Sequence, residues 1–169
     1  MSIESINPAT GQIIETFEPF TTAQVDETLA HARAAYQRWR TTSFAERAAL
    51  LRQVASVLRA QKDDLARVAT LEMGKTLAES RAEVEKCAWN CDYYAENGES
   101  FLSPETIATN AADSYVEFTP LGVVLAIMPW NFPYWQVIRF AAPAIMAGNA
   151  AVLKHASNKI TMKVPEAYR

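Results

Sequence analysis

An asparagine and a lysine follow two short apolar segments of this sequence, and both side chains could bind a polar ligand. Asn131 lies between Pro129 and Pro133, and Lys154 ends the apolar run that starts at Ala150. Proline fixes its own φ and restricts the residue before it, so the backbone that carries Asn131 is expected to be stiff. A stiff loop with one uncharged amide donor can stabilise an oxyanion. Asn131 could instead form only a turn hydrogen bond, and its spacing leaves both interpretations open.

The residues around this asparagine have the order of strand, loop, helix and strand. The apolar segment 123–128 is typical of a strand that is buried on both faces. Pro133 is expected in the first turn of a helix that ends at Gly148, and residues 150–153 form the next apolar run. This order predicts a βαβ unit with two parallel strands. Ligands bind at the carboxyl ends of such strands, where the asparagine and the lysine lie.

The composition indicates a globular protein and excludes several classes of function. The 169 residues suffice for one ordinary domain, and 50% of them are hydrophobic and 21% charged. The net charge of -3 gives no basic surface for nucleic acid, and no apolar run approaches the roughly 20 residues that span a bilayer. Two cysteines and no secretory signal favour a reducing cytosol. We therefore expect a cytoplasmic protein that binds neither nucleic acid nor membrane.

The two cysteines, Cys87 and Cys91, are four residues apart on a predicted helix. They could bind a metal or supply a catalytic thiol, but no histidine or acidic residue with known ligand spacing accompanies them. They align with Val84 and Tyr94 on one side of the helix. Because free cysteine behaves as a small buried hydrophobe, we predict that both pack in the core and that the chain binds no metal.

Three segments resemble the aldehyde dehydrogenase superfamily: Pro-Trp-Asn-Phe-Pro at 129–133, Ala-Gly-Asn at 147–149 and Val-Leu-Lys at 152–154. The resemblance extends from Asn7 to about Asn158, and residues 71–75 and 85–89 are most similar to bacterial succinate-semialdehyde dehydrogenases. It implies a truncated α/β fold, with an N-terminal helical part, the first part of a Rossmann-like parallel sheet and a small β-hairpin.

The resemblance also implies an oxidoreductase that converts an aldehyde to the acid with NAD or NADP. A cysteine thiolate attacks the carbonyl in that family, and Asn131 would donate to the resulting oxyanion. The family's nucleophilic cysteine and general base belong to a later segment. The residues implied to line the nicotinamide side of the cleft are Ile127, Met128, Pro129 and Trp130.

Two further residues bear on the choice between NAD and NADP. The resemblance implies that Lys154 donates hydrogen bonds to the adenosine ribose. Ser157 stands where many NAD-preferring relatives carry a glutamate, and a glutamate would repel a 2′-phosphate. We therefore expect NADP to be accepted, with NAD still usable.

Trp135 and Arg139, which follow Asn131 in the sequence, are predicted to bind the aldehyde substrate. If the helix begins at Pro133, Trp135 and Arg139 share one face. Arg139 could be an ordinary surface arginine, or its guanidinium could bind a carboxylate. Succinate-semialdehyde dehydrogenases carry an arginine in this neighbourhood, which favours succinate semialdehyde as the substrate.

The sequence divides into four predicted parts. Residues 1–103 form a hairpin and the helical part of the cofactor domain, and residues 104–119 form a β-hairpin that the family uses in subunit contact. Residues 120–158 form the first βαβ unit, and residues 159–169 are an atypical tail. We therefore interpret the chain as an N-terminal fragment, inactive alone, of a homo-oligomeric enzyme. The alternatives are a non-catalytic interaction fragment and a non-functional truncated product.

Overall fold

The predicted α/β fold is confirmed in the computed structural model, which describes residues 3–156. Ser157 and the predicted tail at 159–169 lie outside the described residues. The helices in this range are α1 (Thr22–Trp39), α2 (Phe44–Ala60), α3 (Lys62–Met73), α4 (Leu77–Phe101) and α5 (Pro133–Met146). The strands are β1 (Ile3–Ile6), β2 (Ile13–Phe17), β3 (Glu105–Thr106), β4 (Tyr115–Val116), β5 (Val123–Ile127) and β6 (Ala150–Lys154).

Local sequence signals set the ends of the N-terminal helices. α1, α2 and α4 each begin with a capping box, in which Thr21, Ser43 and Thr76 accept a backbone N–H from the third helical residue. α3 ends at Gly74, whose φ of 72° is in the left-handed region that glycine adopts most easily. No helix in the range 3–156 is long and apolar enough to cross a membrane.

The strands form three two-stranded sheets within the described range. β1 and β2 are antiparallel, and so are β3 and β4, which form a short hairpin within the predicted range 104–119. β5 and β6 are parallel, with Val123 opposite Ala150 and Ile127 opposite Lys154. The predicted βαβ unit is therefore confirmed, and both of its strands end at the same edge.

The prediction that β5 is buried on both faces is wrong. Ala126 is 4% exposed, whereas Leu125 and Ile127 are 62% and 67% exposed. Successive side chains of a strand point to opposite faces, so this alternation indicates one covered and one open face. The sequence could not reveal the open face, because a continuous run of apolar residues occurs both in strands buried on two faces and in strands buried on one.

The core lies where α2, α4 and α5 pack together. One cluster contains Leu51, Cys91 and Met146, and the other contains Val84, Cys87 and Tyr134. Both cysteines are free and buried, which confirms the predicted packing role. α4 thus contributes to both clusters along its length, and it forms a fixed support for α5.

An asparagine followed by glycine, as at Asn97 and Gly98, predicts the end of a helix, and this prediction is wrong because α4 continues to Phe101. Gly98 is buried against Met146 of α5, and a Cβ atom at this glycine would lie 2.3 Å from Met146 Cγ. A glycine in a helix interior normally indicates a weak position or an end. Here it permits close approach of two helices, which the local sequence does not reveal.

Side-chain hydrogen bonds attach the carboxyl end of α5 to the first two helices. Arg47 Nη1 donates to Met146 O at 3.1 Å, and its Nη2 donates to Arg40 O at 3.2 Å. Trp39 Nε1 donates to Ile145 O at 2.9 Å. The last carbonyls of a helix have no partner within it, so these donors both satisfy them and fix where β6 begins.

We predict that Gly98→Ala destabilises the chain. Helix propensity alone favours alanine by about 1 kcal/mol, but overpacking of a buried site costs about 1–3 kcal/mol. The new methyl group would overlap Met146, which is 2% exposed. Urea unfolding should therefore show a lower midpoint for the variant. In a Met146→Ala background the same substitution should be neutral or stabilising, and a loss of equal size there would contradict the packing explanation.

Candidate functional site

Asn131 and Lys154 lie at the same edge of the parallel sheet. Lys154 is the last residue of β6 and is opposite Ile127, the last residue of β5. The two chains stay paired one residue further, because Met128 N donates to Lys154 O at 3.0 Å. The loop that carries Asn131 therefore leaves the sheet beside Lys154, as the βαβ order predicts.

The side chain of Asn131 is exposed and available to a ligand. It forms no hydrogen bond with any residue in the described part of the chain. The interpretation as a turn-forming asparagine therefore has no supporting contact within residues 3–156. The amide can donate to an oxygen atom outside the protein, although its role in an oxyanion site stays a prediction.

The helix after Asn131 begins in a way that the sequence only partly indicates. Pro133 is its first residue, as predicted, and is buried. The preceding residue, Phe132, has no side-chain acceptor for the amides of the first turn. Instead, the backbone N–H groups of Tyr134 and Trp135 both donate to Glu83 Oε1, each at 2.9 Å. A carboxylate from α4 thus caps α5.

Glu83 is itself buried, with 5% of its surface exposed. Its second carboxylate oxygen forms an ion pair with Lys75 Nζ. That ammonium group also lies 4.5 Å from the centre of the Phe132 ring. A buried carboxylate needs a counter-charge and hydrogen-bond donors, and this one has both.

Sequence reasoning missed Glu83 and Lys75, although one signal was present. Glu83 lies four residues before Cys87 and eight before Cys91, so it lies in line with the buried stripe of α4. A carboxylate in such a stripe requires a specific partner. Its two amide partners come from α5 and could not be identified without the packing of the two helices, whereas its ion-pair partner Lys75 lies just before α4.

Trp135 and Arg139 lie one turn apart on α5, as predicted. Lys86 of α4 places its Nζ 4.0 Å from the centre of the Trp135 ring. Arg139 is exposed, and its Nη2 donates to the neutral amide oxygen of Gln136 at 2.9 Å. No carboxylate within residues 3–156 pairs with Arg139, so its charge is free to attract an anion. Binding of substrate by Trp135 and Arg139 stays a prediction.

The remaining predicted site residues provide apolar surface and one further cation. Ile127 and Trp130 are 67% and 55% exposed, Pro129 is exposed and Met128 is half-buried. Lys154 is exposed and has no ion pair among the described residues. These features allow contact with a planar ring and a negatively charged group, but their roles stay predictions.

Neither cysteine can supply a nucleophile in this fold. Burial raises the pKa of the Cys87 thiol far above its usual value, and the nearby Glu83 charge adds to the effect. Burial also raises the pKa of Cys91 to about 12. Both thiols are therefore protonated near neutral pH, and a thiol is much less nucleophilic than a thiolate. Within residues 3–156, no group of three or more histidine, cysteine, aspartate or glutamate side chains could hold a metal ion.

We predict that a chromogenic thiol reagent leaves both cysteines unmodified in the native chain at mildly alkaline pH. Two thiols should react once the chain is unfolded in denaturant, because the raised pKa and the burial are lost together. A Gln53→Cys variant is the control, since its thiol would lie on the exposed face of α2 and should react at once. Rapid reaction of the parent chain would contradict the described core.

Known proteins match this chain over most of its length. The sequence model of the aldehyde dehydrogenase family matches residues 1–164. A probable NADP-dependent succinate-semialdehyde dehydrogenase of Synechocystis is 49% identical over 158 residues, which are 94% of this chain and 35% of the relative. The corresponding Mycobacterium avium enzyme is 50% identical over 162 residues, covering 94% of this chain and 34% of the relative. The chain thus spans about a third of the length of these curated relatives.

Solved structures give the same result. The succinic semialdehyde dehydrogenase of Streptococcus pyogenes, solved with NADP+ as the cofactor, superposes with a TM-score of 0.87 and 39% identity. The match covers 92% of this chain and 34% of that one. A match over most of the chain to the family model, supported by superposition at this identity, establishes the family. The chain belongs to the aldehyde dehydrogenase family.

Proposed function

We propose that this chain forms the N-terminal third of an NADP-dependent succinate-semialdehyde dehydrogenase. The observation that carries the proposal is the Asn131 amide, which is exposed and unbonded within the described residues at the carboxyl edge of β5 and β6. Support for the substrate and cofactor comes from relatives at 49% and 50% identity, which are named as NADP-dependent succinate-semialdehyde dehydrogenases.

Asn131 supplies the oxyanion donor in this proposal. A thiolate attacks the aldehyde carbon, and the carbonyl oxygen gains negative charge in the transition state. An amide N–H that is held in place stabilises that charge by about 2.7–4 kcal/mol. The thiolate must come from a residue other than Cys87 and Cys91, since both are buried and protonated. The 169-residue chain alone is therefore proposed to lack aldehyde-oxidising activity.

The residues at the sheet edge fit a dinucleotide. Ile127 exposes apolar surface directly opposite Lys154, whose ammonium group pairs with no carboxylate within the described residues. Lys154 would bind the ribose and its 2′-phosphate, and Ile127, Met128, Pro129 and Trp130 would line the nicotinamide side. When bound, NADP supplies the acceptor for the hydride that leaves the aldehyde carbon.

The substrate's carboxylate is proposed to bind Arg139. A planar guanidinium can bind a carboxylate with two parallel hydrogen bonds. Arg139 is exposed on α5, and its one described side-chain partner is the uncharged Gln136. Trp135, one turn closer to Asn131, would form an apolar wall beside the carbon chain of the substrate.

We also propose that the β3–β4 hairpin mediates contact between copies of the intact enzyme. Tyr115 and Val116 are 61% and 45% exposed on β4, and Ile107 and Phe118 are 45% and 46% exposed beside it. Exposed apolar side chains on a short two-stranded sheet are typical of a surface that becomes buried in an assembly.

The role of Asn131 can be tested in a chimaera in which residues 1–158 replace the corresponding segment of the Synechocystis relative. Asn131→Ala should lower kcat for succinate semialdehyde by about 10²–10³-fold, because the oxyanion loses its donor. The control is Gln53→Ala, which removes an exposed amide from α2 and should leave kcat unchanged. Equal rates for the parent and Asn131→Ala chimaeras would refute the proposed role.

Cofactor choice can be tested in the same chimaera with Ser157→Glu. A carboxylate at this position would repel the 2′-phosphate and accept a hydrogen bond from a 2′-hydroxyl. The substitution should therefore lower kcat/KM with NADP much more than with NAD. Ser157→Ala is the control, since it removes the hydroxyl without adding charge. If kcat/KM falls equally with both cofactors in Ser157→Glu, the side chain does not face the 2′ position.

A further inference from the structure

We infer that Glu83 is a positioning residue, which holds the Asn131 loop through the amino end of α5. The inference rests on the proposed function, because it assigns Glu83 a role in the step that Asn131 assists. Its physical basis is the buried carboxylate of Glu83, which belongs to α4 and accepts hydrogen bonds from the first turn of α5. That turn directly follows the Asn131 loop.

The contacts of Glu83 are short and specific. Its Oε1 accepts the N–H groups of Tyr134 and Trp135, each at 2.9 Å, and these residues follow Asn131 by three and four positions. Hydrogen bonds to a charged acceptor are about twice as strong as neutral ones, and a negative charge is favoured at a helix amino end. Glu83 therefore fixes where α5 begins.

The second oxygen of Glu83 extends the same restraint toward the asparagine. It pairs with Lys75, whose ammonium group lies 4.5 Å from the centre of the Phe132 ring. Phe132 is the residue directly after Asn131. The Glu83–Lys75 pair thus contacts three of the four residues that follow the asparagine, and both charged side chains are largely buried.

The Asn131 side chain makes no contact within the described residues that could hold it in place instead of the Glu83–Lys75 pair. Asn131 forms no side-chain hydrogen bond within the described residues, and Phe132 gives α5 no side-chain cap. Its position therefore depends on the backbone, which Pro129 and Pro133 stiffen, and on the packing of Pro133 and Tyr134, which are buried at the start of α5. Glu83 adds a hydrogen-bonded attachment to this packing, since it projects from α4 beside Val84, which is fully buried.

A shift of about 1 Å in a catalytic donor can cost about 10²-fold in rate, so loss of the attachment should appear in kcat. In the chimaera described above, Glu83→Ala should lower kcat by about ten- to a hundredfold, and the KM for NADP should change by less than about twofold. Glu85→Gln is the control, because Glu85 lies on the same helix but pairs with Arg59 and Lys62 at the surface. It should change neither quantity.

Glu83→Gln separates positioning from simple stabilisation. Glutamine keeps an oxygen that can accept both N–H groups, but it removes the charge that pairs with Lys75. Its thermal midpoint should therefore fall, because a largely buried ammonium loses its partner, while its kcat stays within about threefold of the parent. A merely structural role predicts that kcat falls together with the thermal midpoint in both variants. If Glu83→Ala does not fold, the kcat and thermal midpoint of Glu83→Gln alone still distinguish a positioning role from a merely structural one.

Coupling to Asn131 completes the test. If Glu83 acts through the asparagine, Glu83→Ala should lower kcat no further in an Asn131→Ala background, so the two effects are not additive. Full additivity, or an unchanged kcat in Glu83→Ala alone, would overturn the inference and leave the proposed function intact. An inactive parent chimaera, or an Asn131→Ala variant with parental kcat, would contradict the proposed function and the inference with it.

Discussion

The amino end of α5 (Pro133–Met146) needs a hydrogen-bond acceptor from elsewhere in the fold, and Glu83 supplies it. The first amides of a helix have no partner within the helix, and Phe132 cannot provide one. Glu83 accepts two of them at 2.9 Å from a buried position. Burial of a carboxylate is unfavourable unless it is paired, and Lys75 provides the opposite charge. Together with the core that α4 and α5 share, this arrangement sets the position of the loop before α5.

The opposite end of α5 is held by the same kind of interaction. Arg47 and Trp39 donate to the carbonyls of Met146 and Ile145, which lie in the last turn and accept no N–H group from within the helix. β5 precedes α5 and β6 follows it. Because both ends of α5 are held in place, the edge at which the two strands end is also held in place. Exposed residues at that edge, such as Asn131 and Lys154, can therefore keep a defined position although their side chains have few contacts with the described residues.

The sequence was sufficient to predict those features that depend on local signals. Proline at the start of α5 and the order of apolar runs predicted the βαβ unit and its parallel strands. Features that depend on contacts between distant segments were missed or wrong. The Asn97-Gly98 pair predicted the end of α4, but Gly98 lies inside the helix, where Met146 packs against it. Glu83 was not identified as a site residue, since its two amide partners lie more than 50 positions away.

Amide hydrogen exchange at Tyr134 and Trp135 tests the central claim most directly. First-turn amides of a helix usually exchange quickly, because water is their partner. If Glu83 accepts both N–H groups in a buried site, these two amides should exchange as slowly as amides in the middle of α4. Exchange as fast as in the exposed β3–β4 hairpin would contradict the claim, because it would mean that α5 begins without its carboxylate cap and that Glu83 does not hold the Asn131 loop.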